Sequence, residues 1–245
     1  MIMEKKYTTL LFDADMTLFD FERAEEDAFG IVMQAHGISY DRADFERYKK
    51  YNESLWASYG RGEITKEFLQ RERFAAFLQT VKGGEGLDGG EVNREYLESL
   101  ADCSVLLDGA EDACRTLSSI YDLYIVTNGV ERTQKKRLAN SSIRQYIKDI
   151  FVSEEVGVPK PMKEYFDYVF AHIGEERRES SVIIGDSLTS DIEGGRRAGI
   201  DTILFCPSGK PAKESPVPDH IVRDHAELVR LLTPAGRQCG RGIDD

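Results

Sequence analysis

Five short apolar runs, Thr8 to Phe12, Leu123 to Val126, Ile150 to Val152, Val182 to Ile184 and Thr202 to Phe205, alternate with stretches of helical period. Runs this apolar are buried on both faces, and strands that alternate with helices build a parallel sheet sandwiched between helical layers. The spacing of the first two runs is the exception. Over a hundred residues separate them, whereas a parallel crossover needs only a dozen or so. The expected fold is therefore α/β, a three-layer Rossmann-like parallel sheet interrupted by an inserted domain.

The insert reads as helical. Asp20 can cap a helix carrying Phe21, Ala24, Ala28, Ile31, Val32 and Ala35, with Gly37 at its end. A second helix aligns Phe45, Tyr48, Leu55, Trp56 and Tyr59; a third starts near Thr65 and carries Phe68, Ala75 and Leu78; a fourth carries Val92, Tyr96, Leu97 and Leu100. Glycines 83, 84, 86, 89 and 90 mark a loop before the last of these. Asp108-Gly109-Ala110-Glu111 has the form of a capping box that returns the chain to the sheet, and Pro161 suits a first helical position. The division predicted is 1–20 with 105–233 as the core, 21–104 as a helical cap, and 234–245 as a mobile polar tail.

The chemistry gathers where strands end. Asp13-Ala14-Asp15-Met16-Thr17 leaves the first run, Thr127-Asn128-Gly129 the second, Lys160-Pro161 follows the third after a short loop, and Gly185-Asp186-Ser187 leaves the fourth with Asp191 beyond it. In parallel strands these groups converge on the carboxyl edge of the sheet, where open α/β folds bind ligands. Asp13 and Asp15, two apart, share a face, and like charges so close resist joint ionisation. Asp13, Asp15, Asp186 and Asp191 bring four potential negative charges against one positive from Lys160. A cation relieves that repulsion, and an all-oxygen donor set suits Mg²⁺.

Composition narrows the partners. A formal net charge of -12 opposes tracking of a nucleic-acid polymer, though a small anion can bind where positive charge is concentrated. Cys103, Cys114, Cys206 and Cys239 are scattered without metal-ligand spacing and read as reduced structural thiols. No apolar segment approaches the length of a membrane span, and Met1 to Lys6 lacks the pattern of a secretory leader. A cytoplasmic protein acting on a small molecule, without a membrane partner, is expected.

The four clusters, in this order, resemble the motifs of the haloacid dehalogenase superfamily of phosphatases: Asp13-x-Asp15-x-Thr17, Thr127-Asn128-Gly129, Lys160-Pro161, and Gly185-Asp186 through Asp191. Thr17-Leu18-Phe19-Asp20, Ser54-Leu55-Trp56, Gly62-Glu63-Ile64-Thr65 and Ser153-Glu154-Glu155-Val156-Gly157 look like the pyrimidine 5'-nucleotidases within it. The resemblance implies a phosphomonoester hydrolase in which Asp13 attacks phosphorus and Asp15 is the acid and base, kept protonated with help from neighbouring Asp13. It implies Mg²⁺ held by the side chains of Asp13 and Asp186 and the backbone carbonyl of Asp15. Asp191 is then either a further ligand or the residue that orients Lys160 or a water. Thr127, Asn128 and Lys160 would bind phosphate, and Thr17 would support the loop.

Rival readings share parts of this evidence. A phosphoglycolate or sugar-phosphate phosphatase would have the same core residues and differ only in the cap. A dehalogenase would have no use for Asp15, and a noncatalytic binding protein no use for the whole set. Trp56 and Tyr59 could stack on a base but read first as packing residues. Lys135-Lys136-Arg137 reads as a solvated helix face, and His36, His172, His220 and His225 show no pairing in the sequence. Met16, where relatives often place glycine, is expected to point away from Asp15 and to reshape the cap entrance.

Overall fold

The computed structural model describes residues 7–209 and 215–233. Met1–Lys6, Cys239 and the tail 234–245 lie outside the described residues. Six parallel strands form one sheet: β1 (Thr9–Phe12), β2 (Asp122–Thr127), β3 (Ile147–Val152), β4 (Ser181–Gly185), β5 (Asp201–Phe205) and β6 (His220–Val222), in the spatial order β3-β2-β1-β4-β5-β6. The strand order reverses at β1, so the switch point of the sheet falls where Asp13 leaves it.

Alternation along the strands explains the layers. Leu10 and Phe12 of β1, with Val182 and Ile184 of β4, join one buried cluster, while Leu11 and Ile183 join another on the opposite face. The first cluster is covered by α5 (Ala110–Leu117) and α10 (His225–Leu232). The second is covered by α8 (Lys163–Ile173), which supplies Tyr165, Phe166, Val169 and Phe170, and by Ala198 of α9 (Glu193–Ala198). Leu138 of α6 (Glu131–Ala139) joins the first cluster, and Val156 of the single turn α7 (Ser153–Val156) packs against the second.

The interval after β1 is a cap of four helices, α1 (Phe21–Ala35), α2 (Arg42–Gly60), α3 (Lys66–Leu78) and α4 (Gly89–Asp102). It has its own core, rich in aromatic rings: Phe29, Phe45, Tyr48, Phe74, Phe77 and Tyr96 pack together with Val32 and Met33. Side-chain oxygens of Asp20, Asp41, Thr65 and Asp88 cap the four starts.

Several local expectations need correction. No capping box starts α5: Gly109 occupies the N-cap position with φ +78 and supplies no side-chain bond. Pro161 precedes rather than opens α8, and its peptide bond to Lys160 is cis. The buried face of α3 carries Lys66, Leu69, Arg73, Phe74 and Phe77, while Phe68 lies outward. β6 and α10 were not anticipated, because only Val222 of that strand is buried and the apolar signal is correspondingly short.

Candidate active site

Asp13, Lys160 and Asp191 form a buried cluster at the carboxyl edge of the sheet. Lys160 Nζ donates to Asp13 Oδ1 at 2.7 Å, to Asp191 Oδ1 at 2.6 Å and to the Val126 carbonyl at 2.7 Å, so all three ammonium protons have acceptors. Burial alone would lower the lysine, but Asp13 and Asp191 outweigh it and hold the ammonium above its usual range. The second oxygen of Asp191 accepts from the Ser187 backbone at 3.0 Å. Only glycine fits at 185, since a Cβ there would lie 2.3 Å from the Asp191 carboxyl carbon.

Both oxygens of Asp191 thus have partners, in Lys160 and Ser187. Asp13, Asp186 and Asp191 each offer a carboxylate oxygen within 4.8 Å of the others. Asp186 is exposed at its tip, yet loss of hydration among its neighbours, reinforced by Asp191, pushes it up to about 7, and burial raises Asp13 well above the ordinary carboxylate range despite Lys160. Crowded oxygen donors whose charge is disfavoured are what a hard divalent cation would relieve, so the residues present fit such an ion, with Asp13 and Asp186 best able to face it.

The Thr127–Gly129 loop is braced from several sides. The Asn128 side chain clamps the Lys160 backbone, donating to its carbonyl at 2.9 Å and accepting from its N–H at 2.8 Å. Thr127 Oγ1 accepts from the Gly129 N–H at 3.0 Å. Thr17 is fully buried, its hydroxyl has no hydrogen-bond partner, and its carbonyl accepts from His225 Nε2 at 2.8 Å. His225 also reaches the Asp108 carbonyl through Nδ1 at 2.9 Å, so α10 is tied to the loop after β1 by a contact with no signature in the sequence.

Asp15 separates from Asp13 through its partners. One of its oxygens meets the Arg137 guanidinium and the other the Gln134 amide. Arg137 is completely buried; it also donates to the Cys103 carbonyl at 3.0 Å and lies over the Phe19 ring at 4.6 Å. The solvated-face reading therefore holds only for its neighbours: Lys135 pairs with Glu131 and Glu155, and Lys136 with Asp102. The sequence-level charge count omitted this cation, and with it the group nearest Asp15.

A second cation was also missed. Lys66, at the start of α3, reaches down from the cap and donates to the carbonyls of Asn128 at 2.8 Å and Gly129 at 2.9 Å and to Ser153 Oγ at 2.9 Å. Glu154 stands 3.3 Å away, and burial lowers the lysine against that carboxylate's pull. The Ser153-Glu154 segment is thus one of the places where the cap meets the core.

Between cap and core lies a cavity of about 950 Å³ whose lining includes Asp13, Asp15, Asp186, Trp56 and Arg73. Met16 lines it as well, with φ +59, a conformation uncommon outside glycine. Tyr59 is half-buried with its ring 5.9 Å from that of Trp56 and 5.3 Å from Lys66 Nζ.

The family model described as haloacid dehalogenase-like hydrolase matches residues 7–199. The chain belongs to that family. The HAD-hydrolase YfnB of Bacillus subtilis is 42% identical over 228 residues, covering 93% of this chain and 96% of that protein. Its crystal structure, bound to magnesium and described as revealing interdomain movement, superposes with a TM-score of 0.88 at 41% identity, covering 94% of this chain and all of that one. The pyrimidine 5'-nucleotidase PynA of Streptococcus pneumoniae is 34% identical, with coverage of 92% and 95%. The pyrimidine 5'-nucleotidase YjjG of Escherichia coli is 31% identical, with coverage of 93% and 98%. This haloacid dehalogenase-like hydrolase is a phosphomonoester hydrolase. No helix among its described residues is long and apolar enough to cross a membrane.

Proposed function

We propose that this hydrolase removes phosphate from a pyrimidine nucleoside 5'-monophosphate in the cytoplasm, with Mg²⁺ and through an aspartyl-phosphate on Asp13. The observation that carries the reading is the Asp13–Lys160–Asp191 cluster opening into a cavity roofed by the cap. A cavity of about 950 Å³ has room for a nucleotide, and small-molecule sites run from about 300 to 1,000 Å³.

In this reading an oxygen of Asp13 forms a bond to phosphorus as the ester P–O bond breaks, and Asp15 gives its proton to the departing alkoxide. Asp15 then takes a proton from the water that attacks the phosphoaspartate, releasing inorganic phosphate and restoring Asp13. Lys160 offsets the charge gathered on Asp13, and Thr127 and the Asn128 backbone N–H hold the phosphoryl oxygens. Mg²⁺, bound by the Asp13 and Asp186 side chains and the Asp15 carbonyl, would supply further neutralisation of the phosphate charge. Arg137 and Gln134 fix the Asp15 carboxyl, so that it can serve leaving group and water in turn.

Asp13→Asn removes the nucleophile and should lower turnover of UMP by about 10³-fold or more while phosphate still binds. Steady-state kinetics together with calorimetric titration of phosphate measure both. Undiminished turnover in that variant would refute the mechanism, and an assay across UMP, dTMP, purine nucleotides, phosphoglycolate and sugar phosphates tests the substrate class.

A further inference from the structure

Trp56 lines the cavity between cap and core, yet among the described residues it joins none of the three buried apolar clusters. The buried face of α2 is Phe45, Tyr48, Asn52 and Leu55, and Trp56 follows Leu55 about 100° round the helix. The indole is half-buried. Its ring neighbour is Tyr59, edge-on at 5.9 Å, and the Lys66 ammonium lies 6.0 Å from its centroid. Phe21, the other aromatic residue in the lining, packs against the cap core instead. A large ring outside every core, on a cavity wall, has apolar surface to offer a ligand.

The place of the ring narrows that ligand. Lys66 Nζ, next to the indole, donates to the Asn128 carbonyl at 2.8 Å, and Asn128 and Gly129 line the same cavity. The indole thus stands close enough to the phosphate-binding loop for one pentose to bridge them. Ala57 and Gly60, which follow on the last turn of α2, line the cavity too, and a Cβ at Gly60 would meet no atom within 4 Å. The space beside this turn is therefore open. A flat heterocycle fits such a wall, because stacking needs only a π-face and every base has one.

Resting on the nucleotidase reading above, we propose that Trp56 is a specificity-determining residue whose indole stacks on the nucleobase of the substrate. The stack selects a nucleotide over a sugar phosphate that lacks a base. It does not choose between pyrimidine and purine, whose faces it accepts alike.

Trp56 is the single tryptophan of the chain, so indole emission reports this ring alone. In Asp13→Asn, which holds substrate unreacted, UMP should quench the emission saturably, while ribose 5-phosphate and inorganic phosphate should leave it nearly unchanged. An equal response to UMP and ribose 5-phosphate would mean that the ring follows the cap and not the base. No response to UMP that binds by calorimetry would place the base elsewhere, and either result overturns the proposal. Kinetics give a second readout. Trp56→Ala should raise KM for UMP by about 5- to 100-fold with kcat less affected, and leave inhibition by inorganic phosphate and ribose 5-phosphate unchanged. Trp56→Phe should recover most of the loss and Trp56→Leu little of it. Rescue by Leu equal to that by Phe would reduce the role to bulk, equal losses for all three ligands would make Trp56 a packing residue, and no loss would leave it without a role; each overturns the proposal. The emission arm keeps Trp56 in place, so it decides the matter even if Trp56→Ala does not fold. A wild type that favours UMP over ribose 5-phosphate, with that preference kept in Trp56→Ala, removes Trp56 alone. A wild type without the preference removes the nucleotidase reading and the stacking with it.

Discussion

At the sheet edge Lys160 gives all its protons to Asp13, Asp191 and the Val126 carbonyl, while in the cap Arg73 gives Nε and Nη1 to asparagines and leaves Nη2 unpaired. Both cations are buried, and both line the same cavity. The difference lies in what surrounds them. The lysine sits among formal negative charges fixed by the strand ends, so its position and that of Asp13 are set by the fold. The arginine sits among amides and aromatic rings, with bonding capacity to spare. One cation is fully paired and mostly by charge, the other is paired in part and by neutral amides.

The sharpest way to break this contrast is Lys160→Met, which leaves Asp13 and Asp191 without their shared cation. Breaking a buried pair costs about 3–5 kcal/mol, so thermal denaturation should show a large drop, together with loss of turnover. A variant of near wild-type stability would mean that the carboxylates are relieved by something other than the lysine.

At the cap end the expected effect is of a similar or slightly smaller size and depends on pH. Burial pushes Glu25 up to about 7 from 4.5, against the pull of Asn52 and Arg73. Between those values the unfolded chain releases the proton that the folded chain retains, so stability falls as pH rises through that window, by about 3 kcal/mol in all. Glu25→Gln should flatten this part of the pH–stability curve in chemical denaturation. A wild-type curve already flat between those values would show that Glu25 shares its charge with Arg73 more fully than its burial implies.

The smallest effect is expected at Arg137, which lies between the two ends and is a positioning residue acting through Asp15. Arg137→Met should lower kcat by about 10- to 100-fold, or roughly 1.4–2.8 kcal/mol, with KM for substrate little changed. Partial rescue by Arg137→Lys would support an electrostatic hold on Asp15; a loss carried entirely by KM would place the arginine in substrate binding instead.

Five strands were legible because each carries its own apolar run, and Asp13 and Asp186 because each follows such a run within one or two residues. Asp13, Thr127 and Asp186 can be placed from local spacing alone. Arg137, Lys66 and Arg73 could not, since their partners are distant along the chain: Arg137 meets Asp15 across 122 positions and Lys66 meets the Gly129 carbonyl across 63. Helical periodicity assigns polar positions to the outside, and these three cations occupy inward positions on amphipathic helices, where only the assembled site shows what they touch. The aromatic reading of the cap divided in the same way: Phe45 and Tyr48 are core, whereas Trp56 lines the cavity.

Lys66 also shows how the two parts are held to each other. The cap and the sheet each have a separate apolar core, and the Lys66 ammonium reaches from α3 to the carbonyls of Asn128 and Gly129. On the other side α4 meets α6, where Lys136 pairs with Asp102 and Thr133 donates to the Leu97 carbonyl at 3.4 Å. The seam between the two cores is thus polar, and parting it would exchange hydrogen bonds and ion pairs for water while leaving both apolar clusters whole.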